Sequence, residues 1–212
     1  MEIKSNLNAK LSEVDIKNVK LFSKVYVDHL ISLLEKIDHN LIEKTINLLE
    51  KARNNNQKIF IIGNGGSAAT ASHIGNDFGL VFSKAKKLDR EKPYRVNSLV
   101  DNNSLLTAIG NDYGYEEVFL EQLKINFEKG DIILSISASG NSSNLIKCVE
   151  WGRANGAKII SWLGFDGGKL LELSDITLHV QTANGEYAPV EDIHLIFNHI
   201  IVTWMQFYAK GL

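Results

Sequence analysis

The sequence predicts an α/β domain in which helices cover both faces of a five-stranded parallel sheet. Five short apolar runs, each bounded by Gly, Ser, Asn or Asp, have the length of strands. Amphipathic helical patterns lie between these runs, and this alternation is typical of a parallel sheet that is buried on both faces. The runs occupy residues 58–62, 95–100, 132–136, 158–163 and 176–180.

The helices are predicted from apolar residues that recur at steps of three and four. In the N-terminal part, this pattern predicts one helix over 14–37 and a second over 41–52. The charged stretch 84–93 is expected to form a solvated loop. Further helical patterns cover 68–80, 105–127 with a break at Gly110, 144–155, 170–173 and 190–208.

We interpret residues 1–212 as a single domain with two parts. Residues 1–55 form an N-terminal helical extension, and residues 56–212 form the α/β core. Because the two N-terminal helices are long for an appendage of a monomer, we expect them to pack against another copy of the chain.

Composition excludes several classes of protein. The chain is 44% hydrophobic and 23% charged, values that are ordinary for a globular protein. A net charge of −2 gives no strong attraction to nucleic acid or to an anionic membrane. The single cysteine, Cys148, rules out an internal disulfide and fits a reducing compartment. Since the sequence has neither a signal core nor a run of about 18 apolar residues, we expect a cytoplasmic protein.

The first candidate binding loop, Gly63-Asn64-Gly65-Gly66-Ser67, joins the first strand to a helix. Its glycines permit close backbone approach, and a helix N-terminus attracts an anion. A simple strand-to-helix turn, a dinucleotide site and a phosphosugar site all fit this pattern. Against the dinucleotide site, the candidate ribose carboxylate of Asp101 lies much farther along the chain than the expected distance of about 20 residues.

The second loop favours a phosphosugar. The third strand runs into Ser135-Ile136-Ser137-Ala138-Ser139-Gly140-Asn141-Ser142-Ser143, and another helix follows. Five serines in nine residues, together with the amides of the helix start, are enough to surround one phosphate group without a lysine. A serine N-cap alone explains only one or two of them. Two such loops at one sheet edge suit a small phosphorylated ligand better than a dinucleotide.

Two helices carry candidate acid, base and metal-binding residues. His73 and Asp77 are four residues apart and share a helix face, so they can hold a metal ion or simply hydrogen-bond to each other. In the last helix, His199 lies within an apolar run, where a merely solvated histidine is unexpected. Helical spacing places Asp192 within about 20° of His199 and Glu191 within about 80°, and therefore favours Asp192.

The two loops and the segment Ile109-Gly110-Asn111-Asp112-Tyr113-Gly114 together resemble the SIS (sugar isomerase) domain, and within it the phosphoheptose isomerases. The resemblance extends over nearly the whole chain. It implies a three-layer flavodoxin-like sandwich and a homotetramer with active sites at subunit interfaces. It also implies substrate contacts, chiefly to phosphate, from Asn64, Gly65, Gly66, Ser67, Asn102, Ser137, Ala138, Ser139 and Ser142.

The resemblance further implies one zinc ion per subunit, held by His73, Asp77, Glu191 and His199, and it overrides the spacing argument for Asp192. Asp77 stands where the family has its catalytic glutamate, and its carboxylate reaches less far. Glu191 stands where the family has a glutamine, and it adds an anion that can bind a metal or serve as a base.

The implied activity is the interconversion of a ketose phosphate and an aldose phosphate. Sedoheptulose 7-phosphate and glycero-manno-heptose 7-phosphate, of heptose and lipopolysaccharide synthesis, are the expected pair. Asp77, Glu191 and His199 are the candidate catalytic residues. Two alternatives stay open: a non-catalytic SIS protein that binds phosphosugars or a replication initiator, and an isomerase of another sugar phosphate in surface-polysaccharide synthesis.

Overall fold

The strands form where the sequence has its short apolar runs. In the computed structural model, which describes residues 6–81 and 92–210, five parallel strands form one sheet in the order β2-β1-β3-β4-β5. The central strands β1 and β3 are buried along their whole length, which explains why their sequences are continuously apolar. The predicted parallel sheet is therefore confirmed. The strands are β1 Lys58–Gly63, β2 Arg95–Ser98, β3 Ile132–Ser137, β4 Lys158–Leu163 and β5 Ile176–His179.

Two helical layers cover the sheet and give the expected three-layer sandwich. Residues of α3, α4 and α9 pack on one face, against side chains such as Ile61 and Leu134. Residues from α5 to α8 pack on the other face, against side chains such as Phe60 and Ile133. The helices of the described residues are α1 Leu7–Ser12, α2 Val19–Leu34, α3 His39–Asn54, α4 Gly66–Leu80, α5 Asn103–Asp112, α6 Leu120–Asn126, α7 Ser143–Ala154, α8 Gly168–Leu173 and α9 Tyr187–Lys210.

The helices differ from the prediction most clearly in two places. The predicted helix over 14–37 begins later, at the cap residue Asn18, whose side chain accepts a hydrogen bond from the Leu21 amide, and α1 precedes it. The break predicted at Gly110 is wrong, because α5 continues through Gly110 to Asp112. The chain turns at Gly114 instead, where φ is +101°, a conformation that favours glycine. Residues 84–91 of the predicted charged loop lie outside the described residues.

A buried, hydrogen-bonded Glu186–His29 pair attaches the N-terminal helices to the segment before α9. Glu186 accepts hydrogen bonds from the Leu7 amide at 2.5 Å and from His29 Nε2 at 3.1 Å, and both side chains of the pair are almost completely buried. The beginnings of α1 and α9 are therefore held together. Among the described residues, no helix combines the length and the apolar character that crossing a membrane requires.

Candidate functional site

The strand order places both candidate loops at one crevice. The chain leaves β1 toward β2 on one side and leaves β3 toward β4 on the other, so the carboxyl ends of β1 and β3 flank the point where ligands bind in open α/β sheets. A cavity of about 130 Å³ lies there. Residues of both loops and of α9 line it: Asn64, Ser67, Ile136, Ser137, Ala138, Ser139, Ser142, Leu145, Tyr187 and Glu191.

The serines of the second loop have different roles. Ser137 Oγ accepts the Gly140 amide at 3.0 Å and Ser139 Oγ accepts the Asn141 amide at 3.3 Å, so both hydroxyls help to shape the loop. Ser142 precedes α7 without a side-chain capping bond, which leaves its hydroxyl available to a ligand. Ser135, one of the five serines counted in the loop, instead bonds to Ser161 inside the sheet at 2.6 Å and does not line the cavity.

Two asparagines join the loops to each other. The side-chain amides of Asn64 and Asn144 exchange two hydrogen bonds of 2.9 Å, one in each direction. The Tyr115 hydroxyl donates a third bond of 2.9 Å to Asn64 Oδ1. Asn144 is buried at the start of α7, so this connection fixes the separation of the two loops.

Glu191 supplies a carboxylate at the edge of this cavity. Its oxygens lie against Gly66, the first residue of α4, and a Cβ at position 66 would collide with them. Partial burial, and secondly the negative charge of Asp192, raises the pKa of the Glu191 carboxyl. A carboxylate with a raised pKa beside a ligand cavity is suited to accept and return a proton.

A second cluster lies further along the same two helices. The Nε2 atoms of His73 and His199 are 3.2 Å apart, and His73 Nε2 is 3.1 Å from Asp77 Oδ2. One ligand atom from each of these three residues lies within 4.8 Å of the others. Catalytic zinc sites typically have three protein ligands, such as two imidazoles and a carboxylate, and keep a fourth coordination position open. The residues present therefore fit this metal.

Glu191 does not join this cluster within the described chain. It precedes His199 by eight residues of α9, a rise of about 12 Å, and its carboxylate faces the loop cavity. Asp192, which spacing favoured, also lies apart and accepts a hydrogen bond of 2.5 Å from the Tyr26 hydroxyl. Asn102 caps α5 by accepting the Leu105 amide and does not line the loop cavity.

Comparison with known proteins places the chain in a family. The SIS domain family matches residues 25–164. A phosphoheptose isomerase of Helicobacter pylori (strain P12) is 37% identical over 183 residues, which are 85% of this chain and 92% of that protein. Another, from Aneurinibacillus thermoaerophilus, is 38% identical over 162 residues, 76% of this chain and 78% of that protein. The chain belongs to the SIS-domain phosphoheptose isomerase family.

A solved structure agrees with this assignment. Phosphoheptose isomerase GmhA from Neisseria gonorrhoeae is similar with a TM-score of 0.78 at 28% identity, over 89% of this chain and 98% of that one. The family and the fold class predicted from the loops are therefore confirmed.

Sequence reasoning missed several residues around the site of this SIS-domain chain. Tyr187 lines the cavity and packs edge-on against Phe165, with ring centroids 5.0 Å apart. Asn144 and Tyr115 set the loop spacing through Asn64. Asn144 directly follows the serine loop, so its position in the sequence could have predicted that it lies near the site. Tyr115 and Tyr187 lie near the site only because of the tertiary fold.

Proposed function

We propose that this chain is a phosphosugar isomerase that interconverts sedoheptulose 7-phosphate and glycero-manno-heptose 7-phosphate. One observation carries the proposal: the loop cavity and the histidine cluster share the helices α4 and α9. Ser67 and His73 are separated by six residues of α4, a rise of about 9 Å. An extended phosphorylated sugar can therefore place its phosphate at the serines and its carbonyl end near the histidines.

The reaction moves one proton from C1 to C2 and another from the oxygen on C1 to the oxygen on C2. A base takes a proton from C1 of the ketose while an acid donates one to the carbonyl oxygen at C2. The enediol is then protonated at C2 as the oxygen on C1 loses its proton. Positioned side chains typically contribute about 10²–10⁴-fold to such steps.

We assign His199 as one acid–base group and a carboxylate, either Glu191 or Asp77, as the other. Phosphate binding at Ser137, Ser139 and Ser142 holds the remote end of the substrate and so orients the reacting carbons.

We propose that zinc binds to His73, Asp77 and His199. When bound, the ion would supply Lewis-acid polarisation of the substrate oxygens. The family resemblance adds Glu191 as a fourth ligand. In the described chain this carboxylate instead borders the loop cavity, which supports a role in contact with the substrate.

We also propose a homotetramer in which a neighbouring subunit helps to close the site. The His73–Asp77 pair is partly exposed, and beyond His199 the helix α9 presents a series of exposed apolar side chains, Ile200, Trp204, Phe207 and Tyr208. A contiguous exposed apolar patch is typical of a protein interface. Light scattering should show a tetramer that Trp204→Glu dissociates, whereas Leu171→Glu, on α8, should leave the assembly intact.

The catalytic proposal is tested with protein purified without added metal and then supplied with zinc. Formation of the aldose from sedoheptulose 7-phosphate is followed by NMR. Glu191→Gln and His199→Ala should each abolish turnover while phosphosugar binding persists, and normal turnover in both variants would overturn the assignment. Asp77→Asn, with its zinc content measured alongside, distinguishes the two carboxylates. Turnover that survives this change but not Glu191→Gln assigns Glu191 as the base. Turnover that survives Glu191→Gln but is lost in Asp77→Asn with zinc still bound assigns Asp77.

A further inference from the structure

The buried amide of Asn198 contacts the carboxylate of Asp77. Asn198 lies on α9 immediately before His199 and has 0% of its surface exposed. Its Nδ2 donates a hydrogen bond of 2.7 Å to Asp77 Oδ2, the same oxygen that lies 3.1 Å from His73 Nε2. The Asn198 side chain therefore reaches the cluster from its buried side.

The surroundings of the Asn198 amide on α9 are mainly apolar. The neighbouring α9 residues Phe197, Ile201 and Val202 belong to the core. The Oδ1 atom of Asn198 is buried and has no hydrogen-bond partner among the described residues. A buried amide with an unpaired oxygen is unfavourable, and an apolar side chain of similar size would avoid that cost. The bond to Asp77 is the one hydrogen bond that the Asn198 side chain makes among the described residues.

Asp77 is held by amides on both of its oxygens, but unequally. Asn198 binds Oδ2 at 2.7 Å from within the core, whereas Asn76 donates to Oδ1 at 3.3 Å from an exposed position. Because an exposed side chain adjusts freely to solvent, the buried amide determines the direction of the carboxylate. The same bond connects α4 to α9, the two helices that carry His73 and His199.

We propose that Asn198 is a positioning residue that aims the Asp77 carboxylate at the centre between His73 and His199. The inference deepens the proposed function, because it assigns an outer residue to the same site. Hydrogen-bonding partners of metal ligands typically contribute about 10- to 100-fold to metal affinity.

Zinc affinity, measured by competition with a chromogenic chelator, tests the proposal. Asn198→Leu should weaken zinc binding about 10- to 100-fold while the melting temperature of the metal-free protein stays equal or rises. Asn76→Ala, which removes the exposed amide from the same carboxylate, is the matched control and should leave the affinity nearly unchanged. Equal zinc affinity in Asn198→Leu and the parent protein would overturn the proposal.

A second substitution separates positioning from direct ligation. Asn198→Asp retains an oxygen but cannot donate, and its charge repels Asp77, so we expect a loss of affinity at least as large as in Asn198→Leu. Zinc binding in Asn198→Asp as tight as in the parent protein would contradict the positioning role, because an ionised aspartate cannot donate this hydrogen bond.

A crystal structure of metal-free Asn198→Leu gives a readout that does not depend on zinc. The Asp77 side chain should rotate away from His73, and an unchanged rotamer would overturn the proposal. The His73→Ala variant tests the zinc site itself. If it binds zinc as tightly as the parent protein, the metal part of the proposed function fails, while the Asp77 rotamer still decides the role of Asn198.

Discussion

The Glu191 carboxylate lies directly against Gly66, so the first residue of α4 and the first turns of α9 are in contact beside the loop cavity. A Cβ built at position 66 would be 2.5 Å from Glu191 Oε1 and Cδ. Because residue 66 has no side chain, the Glu191 carboxylate has room to lie at this position. A substitution at residue 66 can therefore test the position of Glu191 separately from the stability of the fold.

We expect Gly66→Ala to reduce turnover with little loss of stability. The atoms nearest to the added methyl group all belong to the end of the flexible Glu191 side chain, which can move aside while the backbone stays in place. A displacement of about 1 Å can cost up to about 100-fold in rate. Steady-state kinetics and thermal melting measure the two effects separately.

Two other glycines serve as controls for that substitution. Gly79→Ala, on the same helix, meets no atom of the described residues within 4 Å beyond its own stretch of helix, and it should stabilise the protein by about 0.5–1 kcal/mol and leave turnover unchanged. Gly63→Ala would place a Cβ 2.7 Å from the Ser67 carbonyl oxygen, a backbone atom, and should destabilise the fold. Normal turnover in Gly66→Ala would contradict the importance of the Glu191 position.

Ser142→Ala should weaken phosphosugar binding without affecting the fold. The Ser142 hydroxyl has no capping bond, so its loss costs nothing in the free protein. A hydrogen bond to a charged phosphate is worth about 1.5–3 kcal/mol, which corresponds to a loss of affinity of about 10- to 100-fold. Calorimetric titration with the sugar phosphate measures it. Ser137→Ala is the comparison, because it also removes the bond to the Gly140 amide and should lower the melting temperature.

Stability should fall in mild acid because of His194. This side chain is completely buried, its Nε2 donates to the Leu163 carbonyl at 3.2 Å, and its Nδ1 has no partner among the described residues. Burial lowers the pKa of His194 to about 4. Between pH of about 6.5 and about 4 the unfolded chain binds a proton that the folded chain does not, so the free energy of unfolding falls as the pH falls, by up to about 3 kcal/mol.

Denaturant titrations across this pH range test the role of His194. In His194→Gln this part of the pH dependence should vanish, whereas His39→Gln, at an exposed position, should keep it. A stability difference between His194→Gln and the parent protein that does not change with pH would refute the prediction.

The Glu186–His29 pair should contribute strongly to stability. Glu186→Ala leaves the Leu7 amide and His29 Nε2 buried without their acceptor, and an unsatisfied buried donor typically costs about 1–3 kcal/mol. Urea denaturation gives this value, and limited proteolysis should cut the released N-terminal segment first. The exposed pair Lys24–Asp28 is the control, because Asp28→Ala should change stability by less than about 0.5 kcal/mol.

Much of the architecture followed from local patterns. The apolar runs predicted the strands, because a strand buried on both faces must be apolar along its length. The spacing of His73 and Asp77 predicted their contact, since residues four apart share a helix face. The helix break was misplaced at Gly110 because a helix tolerates an isolated glycine, while the turn at Gly114 depends on its positive φ.

The sequence by itself determined the sheet, the two loops and the family, because each depends on the order and chemistry of nearby residues. The family resemblance had also brought His199 to His73, whereas only the tertiary structure decided that Glu191 faces the loop cavity and that Asn198 reaches Asp77. The physical reason is that periodicity fixes the face of one helix on which a residue lies, but not the height and rotation at which two helices pack. Those are set by the side chains that fill the space between α4, α9 and the sheet.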